Sequence, residues 1–299
     1  MVLIRQMCIA PVLVLGLGMM APAVLTQGAA AQSAQVQTQV PAQTPQPPAR
    51  AELEAFLEVT GFDVALESIR LSADTAPQML GLAADDFGSE WQRLVREVFR
   101  TDLMHDMALD ILSKTLSQRL LDHGAGFYAS DLGQRFVAVE NASHMETQGE
   151  VKSESGSQII EGLKRIGSPR VAILERLNAA SGGEDNTLRA LQEVQIRFLM
   201  AAAGAGVVEL QMDEPDLREA MRSGAEEMRA GLRQSALEGA AYTYQAFSDA
   251  EMTTYAEALE HPDMKEVYAL MNAVQYEIMA NRFEAVADRL RLMQPSQDL

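Results

Sequence analysis

Histidine and methionine are the side chains of this sequence that could hold a transition metal, and residues 104–107 read Met-His-Asp-Met. Thioether and imidazole groups are ligands that copper accepts. On a helix, however, Met104 and Met107 share one face, while His105 lies about 100° away from Met104. An amphipathic helix therefore explains the pattern, and we assign no metal ligand, although a periplasmic metal carrier stays an alternative function. The other histidines are His123, His144 and His261.

Carboxylate pairs could supply a general acid and a general base, and the chain has 42 acidic residues. In so acidic a chain, neighbouring carboxylates arise without a catalytic role. No G-x-S-x-G segment anchors a serine nucleophile. Gly204-Ala205-Gly206 lacks the strand and the third glycine of a dinucleotide site. We assign no catalytic residue and no cofactor, and we keep an envelope hydrolase with acidic side chains between two modules as an alternative function.

The charge balance excludes two classes of partner. The 299 residues include 24 Lys and Arg against 42 Asp and Glu, a formal net charge of -18. Binding driven by nucleic-acid phosphates or anionic lipid headgroups needs the opposite charge.

Aromatic residues make up 5% of the chain, whereas residue types with high helix propensity are abundant. The composition therefore predicts an all-α protein that does not bind nucleic acid.

The N-terminal segment is typical of a secretory signal peptide. A charged start is followed by residues 7–25, which carry no charge, and Ala29 and Ala31 supply the small residues of a cleavage site. We predict cleavage after Ala31, with residues 1–31 as the signal peptide and a periplasmic location. An uncleaved membrane anchor is the alternative. The mature chain has no cysteine, because Cys8 is removed, and it needs no membrane span.

Residues 32–50 are predicted to form a disordered linker. They contain six Gln and four Pro and no aromatic or acidic residue. Such a composition buries too little apolar surface to offset the loss of chain entropy on folding.

Prolines and capping residues mark the predicted helix starts after the linker. Between residues 51 and 293, each proline stands close to a predicted helix start, where its missing N–H costs least. Ser248 and Glu251 have the spacing of a capping box. Apolar residues recur at three- and four-residue steps over residues 91–112 and 264–278, and no two-residue alternation indicates a strand. The prolines are Pro77, Pro169, Pro215 and Pro262.

An offset of 131 aligns residues 116–142 with residues 247–273 without a gap and pairs five identical residues. Helical apolar spacing alone produces some such matches. Both segments nevertheless share the order cap, helix, short break and helix. We predict an internal duplication.

Two short motifs carry a family resemblance. Residues 56–61 read Phe-Leu-Glu-Val-Thr-Gly, and residues 127–135 read Phe-Tyr-Ala-Ser-Asp-Leu-Gly-Gln-Arg. The chain resembles domain-of-unknown-function family 2059, whose members look like exported all-helical proteobacterial proteins. Asp131 stands where that family usually has Pro, and residues 259–265 occupy the matching break of the second half. The resemblance implies fold and compartment, and it transfers no activity.

The residues that we single out are structural motif positions. In the first half they are Thr60, Gly61, Tyr128, Ser130, Asp131, Leu132, Gly133 and Gln134, and in the second half Ser248, Glu251 and Pro262.

The sequence thus predicts two related antiparallel helical modules over residues 51–143 and 182–293. A connecting segment, 144–181, contains a polar stretch and a helix that starts near Ser168, and residues 294–299 form a tail. The predicted function is a non-enzymatic periplasmic binding or interaction module that supports the cell envelope. Its partner is an envelope protein or a small apolar ligand, and self-association is compatible with this function.

Overall fold

The computed structural model describes residues 47–73, 76–80 and 88–293, and within these ranges it contains helices and no β-strand. The all-α prediction is confirmed. The predicted signal peptide, residues 32–46 of the linker and the tail lie outside the described residues. The helices are α1 (Arg50–Thr60), α2 (Phe62–Ser72), α3 (Ala76–Met79), α4 (Gly88–Val98), α5 (Thr101–Thr115), α6 (Gln118–Tyr128), α7 (Asp131–His144), α8 (Gly149–Arg165), α9 (Arg170–Ala180), α10 (Gly183–Gly204), α11 (Glu214–Ser223), α12 (Ala225–Thr243), α13 (Asp249–Glu260) and α14 (Pro262–Met293).

Side-chain caps fix several helix starts. The Ser248 N–H donates to Glu251 Oε2 at 2.8 Å, and the Glu251 N–H donates to Ser248 Oγ at 3.3 Å, which is the predicted capping box. Asp213 Oδ1 accepts from the Asp216 N–H at 2.9 Å at the start of α11. Ser117 and Ser130 cap α6 and α7 in the same way. Each cap satisfies backbone donors that the first helical turn leaves without a partner.

Nearly all buried apolar side chains of the described residues form one continuous core. The 32-residue helix α14, about 48 Å long at 1.5 Å per residue, packs against α10, α6, α5 and α4. Elements of both predicted modules therefore share the core, and the division into two modules stays a prediction. No helix among the described residues is both long enough and apolar enough to cross a membrane.

Helix α8 occupies much of the stretch that was expected to be a polar connection. Its residues 149–165 form a helix that packs along α12. The closest approach is at Gly156, where a Cβ atom would lie 2.2 Å from the carbonyl oxygen of Glu238 on α12. The buried face of α8 consists of Lys152, Gly156 and Ile160, so a charged residue and a glycine interrupt its apolar pattern.

Gly156→Ala is expected to destabilise the protein by about 1–3 kcal/mol, because the two helix backbones must separate to admit the methyl group. Gly162→Ala is the matched control on the same helix, since nothing lies within 4 Å of a Cβ atom at that position. Its better helix propensity should stabilise the protein by about 0.5–1 kcal/mol. Urea unfolding of both variants measures the difference, and effects of the same sign and size would contradict this packing.

Candidate functional site

Four tyrosine hydroxyls converge near one buried carboxyl group, and we name these five residues the tyrosine–glutamate cluster. Tyr244 and Tyr255 donate hydrogen bonds to Glu140 Oε1 at 2.7 and 2.8 Å. The hydroxyl oxygen of Tyr255 lies 3.0 Å from those of Tyr128 and Tyr268, and Tyr128 also contacts Tyr268. Glu140 lies on α7, while the tyrosines come from the ends of α6 and α12 and from α13 and α14.

The hydrogen-bond geometry of the cluster accounts for every phenol proton. A tyrosine hydroxyl has one proton to donate and can also accept. Tyr244 and Tyr255 give their protons to Glu140. The oxygen of Tyr255 can then accept from Tyr128 or Tyr268, and the remaining hydroxyl of that pair can donate to the other. The four phenols are thus satisfied within the cluster, which burial of polar groups requires.

Burial controls the ionisation of the cluster. Glu140 is only 9% exposed, and burial raises its pKa from 4.5 to about 7, although the hydrogen bonds from Tyr244 and Tyr255 lower it in part. Burial also raises the pKa of the Tyr128, Tyr244 and Tyr255 hydroxyls well above the ordinary value of 10.0. At pH 6 the cluster therefore contains neutral phenols and a largely protonated carboxyl group.

Aromatic packing holds the cluster in place. The Phe136 ring stacks on the Tyr255 ring at a centroid distance of 4.0 Å and on the Phe247 ring at 4.1 Å. The Phe127 ring is parallel to that of Tyr255, with the centroids 5.6 Å apart. Tyr255 thus has its ring in the core and its hydroxyl at the Glu140 carboxyl group.

A cavity of about 450 Å³ lies beside the cluster, between α7, α8, α9, α10 and α12. Much of its wall is apolar, with Leu177, Leu191 and Leu237 among the lining residues. The exposed lining residues Lys164 and Arg233 place one side of the cavity at the protein surface. The lining surface is mostly apolar, although polar and charged residues such as Glu175 and Glu184 also contribute to it, and this volume is typical of small-molecule sites.

Polar side chains of α7 and α8 form one end of this cavity, where Glu140, Ser143, His144 and Lys152 line it. Lys152 is only 6% exposed. Its ammonium group donates to the carbonyl oxygen of Ser143 at 3.2 Å and to Ser143 Oγ, which lies 2.8 Å from Thr243 Oγ1. Burial lowers the pKa of Lys152. Burial and the nearby Lys152 charge lower the pKa of His144 to about 4, so this imidazole is neutral at pH 7.

A second cavity, of about 50 Å³, lies on the other side of α7. Glu140 and His144 line both cavities, and Thr60 and Gly61 of the Thr-Gly motif line the small one. Thr60 Oγ1 donates to the carbonyl oxygen of Phe56 at 2.7 Å, so its hydroxyl is satisfied within α1.

The two sequence motifs meet in space. Gly61 ends α1 with φ of 71°, a left-handed conformation, and a Cβ atom there would lie 2.5 Å from Asn141 Oδ1. Gln134 Nε2 donates to the carbonyl oxygens of Val59 at 3.0 Å and Tyr128 at 2.7 Å. These contacts position α7, and with it Glu140, against α1 and α6.

The remaining residues of the second motif form the start of α7. Ser130 Oγ accepts from the Gly133 N–H at 3.0 Å, and a Cβ atom at Gly133 would lie 2.3 Å from the Phe127 carbonyl oxygen. Asp131 opens the helix, where a negative charge is favourable, and Leu132 packs against the core. These residues are structural.

The second-half motif residues fix α13 and α14. Glu251 pairs with Arg135 of α7 at 2.5 Å, and the Arg135 guanidinium lies 4.9 Å from the centre of the Phe247 ring. Pro262 is the first residue of α14. Residues 129–130 separate α6 from α7, and residue 261 separates α13 from α14.

Residues 104–107 form part of an ordinary amphipathic helix. Met104 is fully buried in the core, whereas His105 Nε2 lies 3.3 Å from the carbonyl oxygen of Asp63. This arrangement matches the structural interpretation of the Met-His-Asp-Met pattern.

Part of this site lies in a segment that matches a known family. Residues 102–161 match domain-of-unknown-function family 2059. The family is described as an uncharacterized protein conserved in bacteria. The resemblance is confirmed over the segment matched to family 2059, which includes Tyr128, Glu140, His144 and Lys152, while a tandem second copy stays a prediction. The comparisons with curated proteins and with solved structures each find no match.

Sequence reasoning missed Glu140, His144, Lys152 and three of the cluster's tyrosines as a site. One signal was available, because Glu140 follows Phe136 by four residues and Val137 by three and thus lies on the buried face of α7. The tyrosines gave no local signal, since Tyr128 and Tyr268 are 140 residues apart.

Glu140→Gln is expected to change the pH dependence of stability. Between pH 4.5 and 7 the folded protein keeps a proton that the unfolded chain has lost, so the wild type loses stability as pH rises. Glutamine has no proton to lose and can still accept from both tyrosines. From pH 4 to pH 8, the free energy of unfolding of wild type should fall by about 3 kcal/mol relative to this variant.

Urea unfolding at a series of pH values measures this difference. Glu150→Gln, at an exposed position of α8, is the control and should follow the wild-type pH profile. Parallel profiles for wild type and Glu140→Gln would show that Glu140 ionises normally.

Proposed function

We propose that this protein is an exported, non-enzymatic binding protein of the bacterial cell envelope, and that it holds a small amphipathic carboxylic acid in the 450 Å³ cavity. The observation that carries this proposal is the buried ammonium group of Lys152 at the polar end of a largely apolar cavity. The signal-like N-terminus and the bacterial family support the compartment.

The polar end of the cavity favours an anionic head group. A carboxylate can only accept hydrogen bonds, and the ammonium group of Lys152 can only donate them, so the two groups are complementary. Below pH 7 the protonated carboxyl of Glu140 adds a second donor, and the Thr243 hydroxyl can provide a third. A charge-assisted bond from a buried ammonium group is stronger than one between neutral groups.

The walls of the cavity favour an apolar body. Leu177, Leu191, Leu232 and Leu237 line it together with alanines of α9 and α12. Each methylene group that leaves water for such a wall contributes about 0.8 kcal/mol. A medium-chain fatty acid therefore has suitable groups at both ends.

Decanoate is the probe for this proposal, and 1-decanol is its uncharged analogue. Isothermal titration calorimetry should detect decanoate binding to the wild type. Lys152→Met should weaken it by at least about tenfold, because a charge-assisted hydrogen bond is lost. Decanol affinity should change less than about twofold, since methionine preserves the apolar contacts.

Lys265→Met, at an exposed position of α14, is the matched control and should bind decanoate as wild type does. Equal weakening of decanoate and decanol by Lys152→Met, or no decanoate binding by the wild type, would contradict the proposal.

An envelope hydrolase is the second candidate, because a carboxyl group with a pKa of about 7 beside a cavity can act as a general acid or base. Catalytic turnover of 4-nitrophenyl decanoate that disappears in Glu140→Gln would favour hydrolysis over binding alone.

A further inference from the structure

His123 and His261 face each other at the break between α13 and α14. Their rings stack with centroids 4.3 Å apart and an interplanar angle of 25°. Asp263, in the first turn of α14, lies beside them, and one ligand atom from each of the three residues lies within 4.8 Å of the others. Among the described residues, no other group of three or more His, Cys, Asp and Glu side chains has its ligand atoms this close together.

We propose that His123, His261 and Asp263 form a binding site for Zn²⁺. Two imidazole nitrogens and one carboxylate oxygen are a common zinc ligand set, with metal–ligand distances of about 2.0–2.2 Å. Ligand atoms around a tetrahedral zinc ion lie about 3.4 Å apart, so ligand atoms separated by more than this must move closer when the ion binds. A fourth position is left for water.

The surrounding helices hold the ligands close to this geometry. His123 lies on α6, whereas His261 lies between α13 and α14. The two histidines therefore come from elements that are far apart in sequence. His261 caps α13, and its Nδ1 accepts from the Asp263 N–H at 3.2 Å. Zinc bound at this nitrogen replaces that hydrogen bond. His261 is exposed and can adjust, whereas His123 and Asp263 are partly buried and are fixed more firmly.

The charges near the site allow a divalent cation. Arg119 contacts the Asp263 carboxylate and pairs with Glu266 at 3.1 Å. The Arg119 side chain is 57% exposed, so it can move toward Glu266 when a cation arrives. The net charge of -18 also attracts cations to the protein as a whole.

The proposal is independent of the cavity ligand, since none of the three residues lines the 450 Å³ cavity. A zinc ion there joins α6 to the start of α14, and it should therefore raise the thermal stability of the protein.

Isothermal titration of the metal-free full chain with ZnCl₂ tests the site. One ion should bind per chain, and His123→Asn and Asp263→Asn should each weaken binding by at least about tenfold. His105→Asn, another partly buried histidine variant, should bind zinc as wild type does. Thermal melts without metal establish that each variant folds.

Co²⁺ bound in place of Zn²⁺ reports the coordination geometry of the site, which distinguishes a specific site from non-specific binding. The wild type should show the intense visible absorption of tetrahedral Co²⁺, and His123→Asn should lose it. Zinc binding of equal strength in all three variants, an octahedral Co²⁺ spectrum, or no detectable zinc binding by the wild type would overturn the proposal.

Discussion

The structure depends on how it buries the carboxyl group of Glu140. A carboxyl group removed from water must be protonated, paired or hydrogen-bonded, because an isolated buried charge costs several kcal/mol. Here the donors are phenols, Tyr244 and Tyr255, and two further phenols complete their hydrogen bonds. Because these residues come from α6, α7, α12, α13 and α14, satisfying one carboxyl group fixes the mutual positions of five helices.

The cavity follows from the same arrangement. Glu140, Ser143 and His144 lie within about one turn of α7, so the helix that enters the cluster also presents polar groups toward α8 and α12. The close contact at Gly156 lets α8 approach α12 and brings Lys152 to the same polar end. A buried cation and a neutral acid then lie at one end of an apolar space, which is the chemistry that selects an amphipathic anion.

Local signals predicted much of the fold. Ser248, Glu251 and Pro262 marked helix starts because capping and proline geometry depend only on neighbouring residues. The Thr-Gly motif and the Phe-Tyr motif were recognised, but their contact through Gln134 is long-range. The site could not be predicted for the same reason: Glu140 lies 104 and 115 residues from Tyr244 and Tyr255, and no local pattern places these side chains together. Helix α8 was not predicted because Lys152 and Gly156 interrupt the apolar pattern of its buried face.

Carbon NMR of the side-chain carboxyl groups measures whether Glu140 is a neutral acid in the folded protein at pH 6. In protein labelled with ¹³C at the glutamate carboxyl position, the signal absent from Glu140→Gln identifies this residue. We expect this signal to titrate with a midpoint of about 7. A midpoint near the ordinary value of 4.5 would show that the buried carboxyl group is ionised at pH 6, and the arrangement of five helices around a neutral acid would then be wrong.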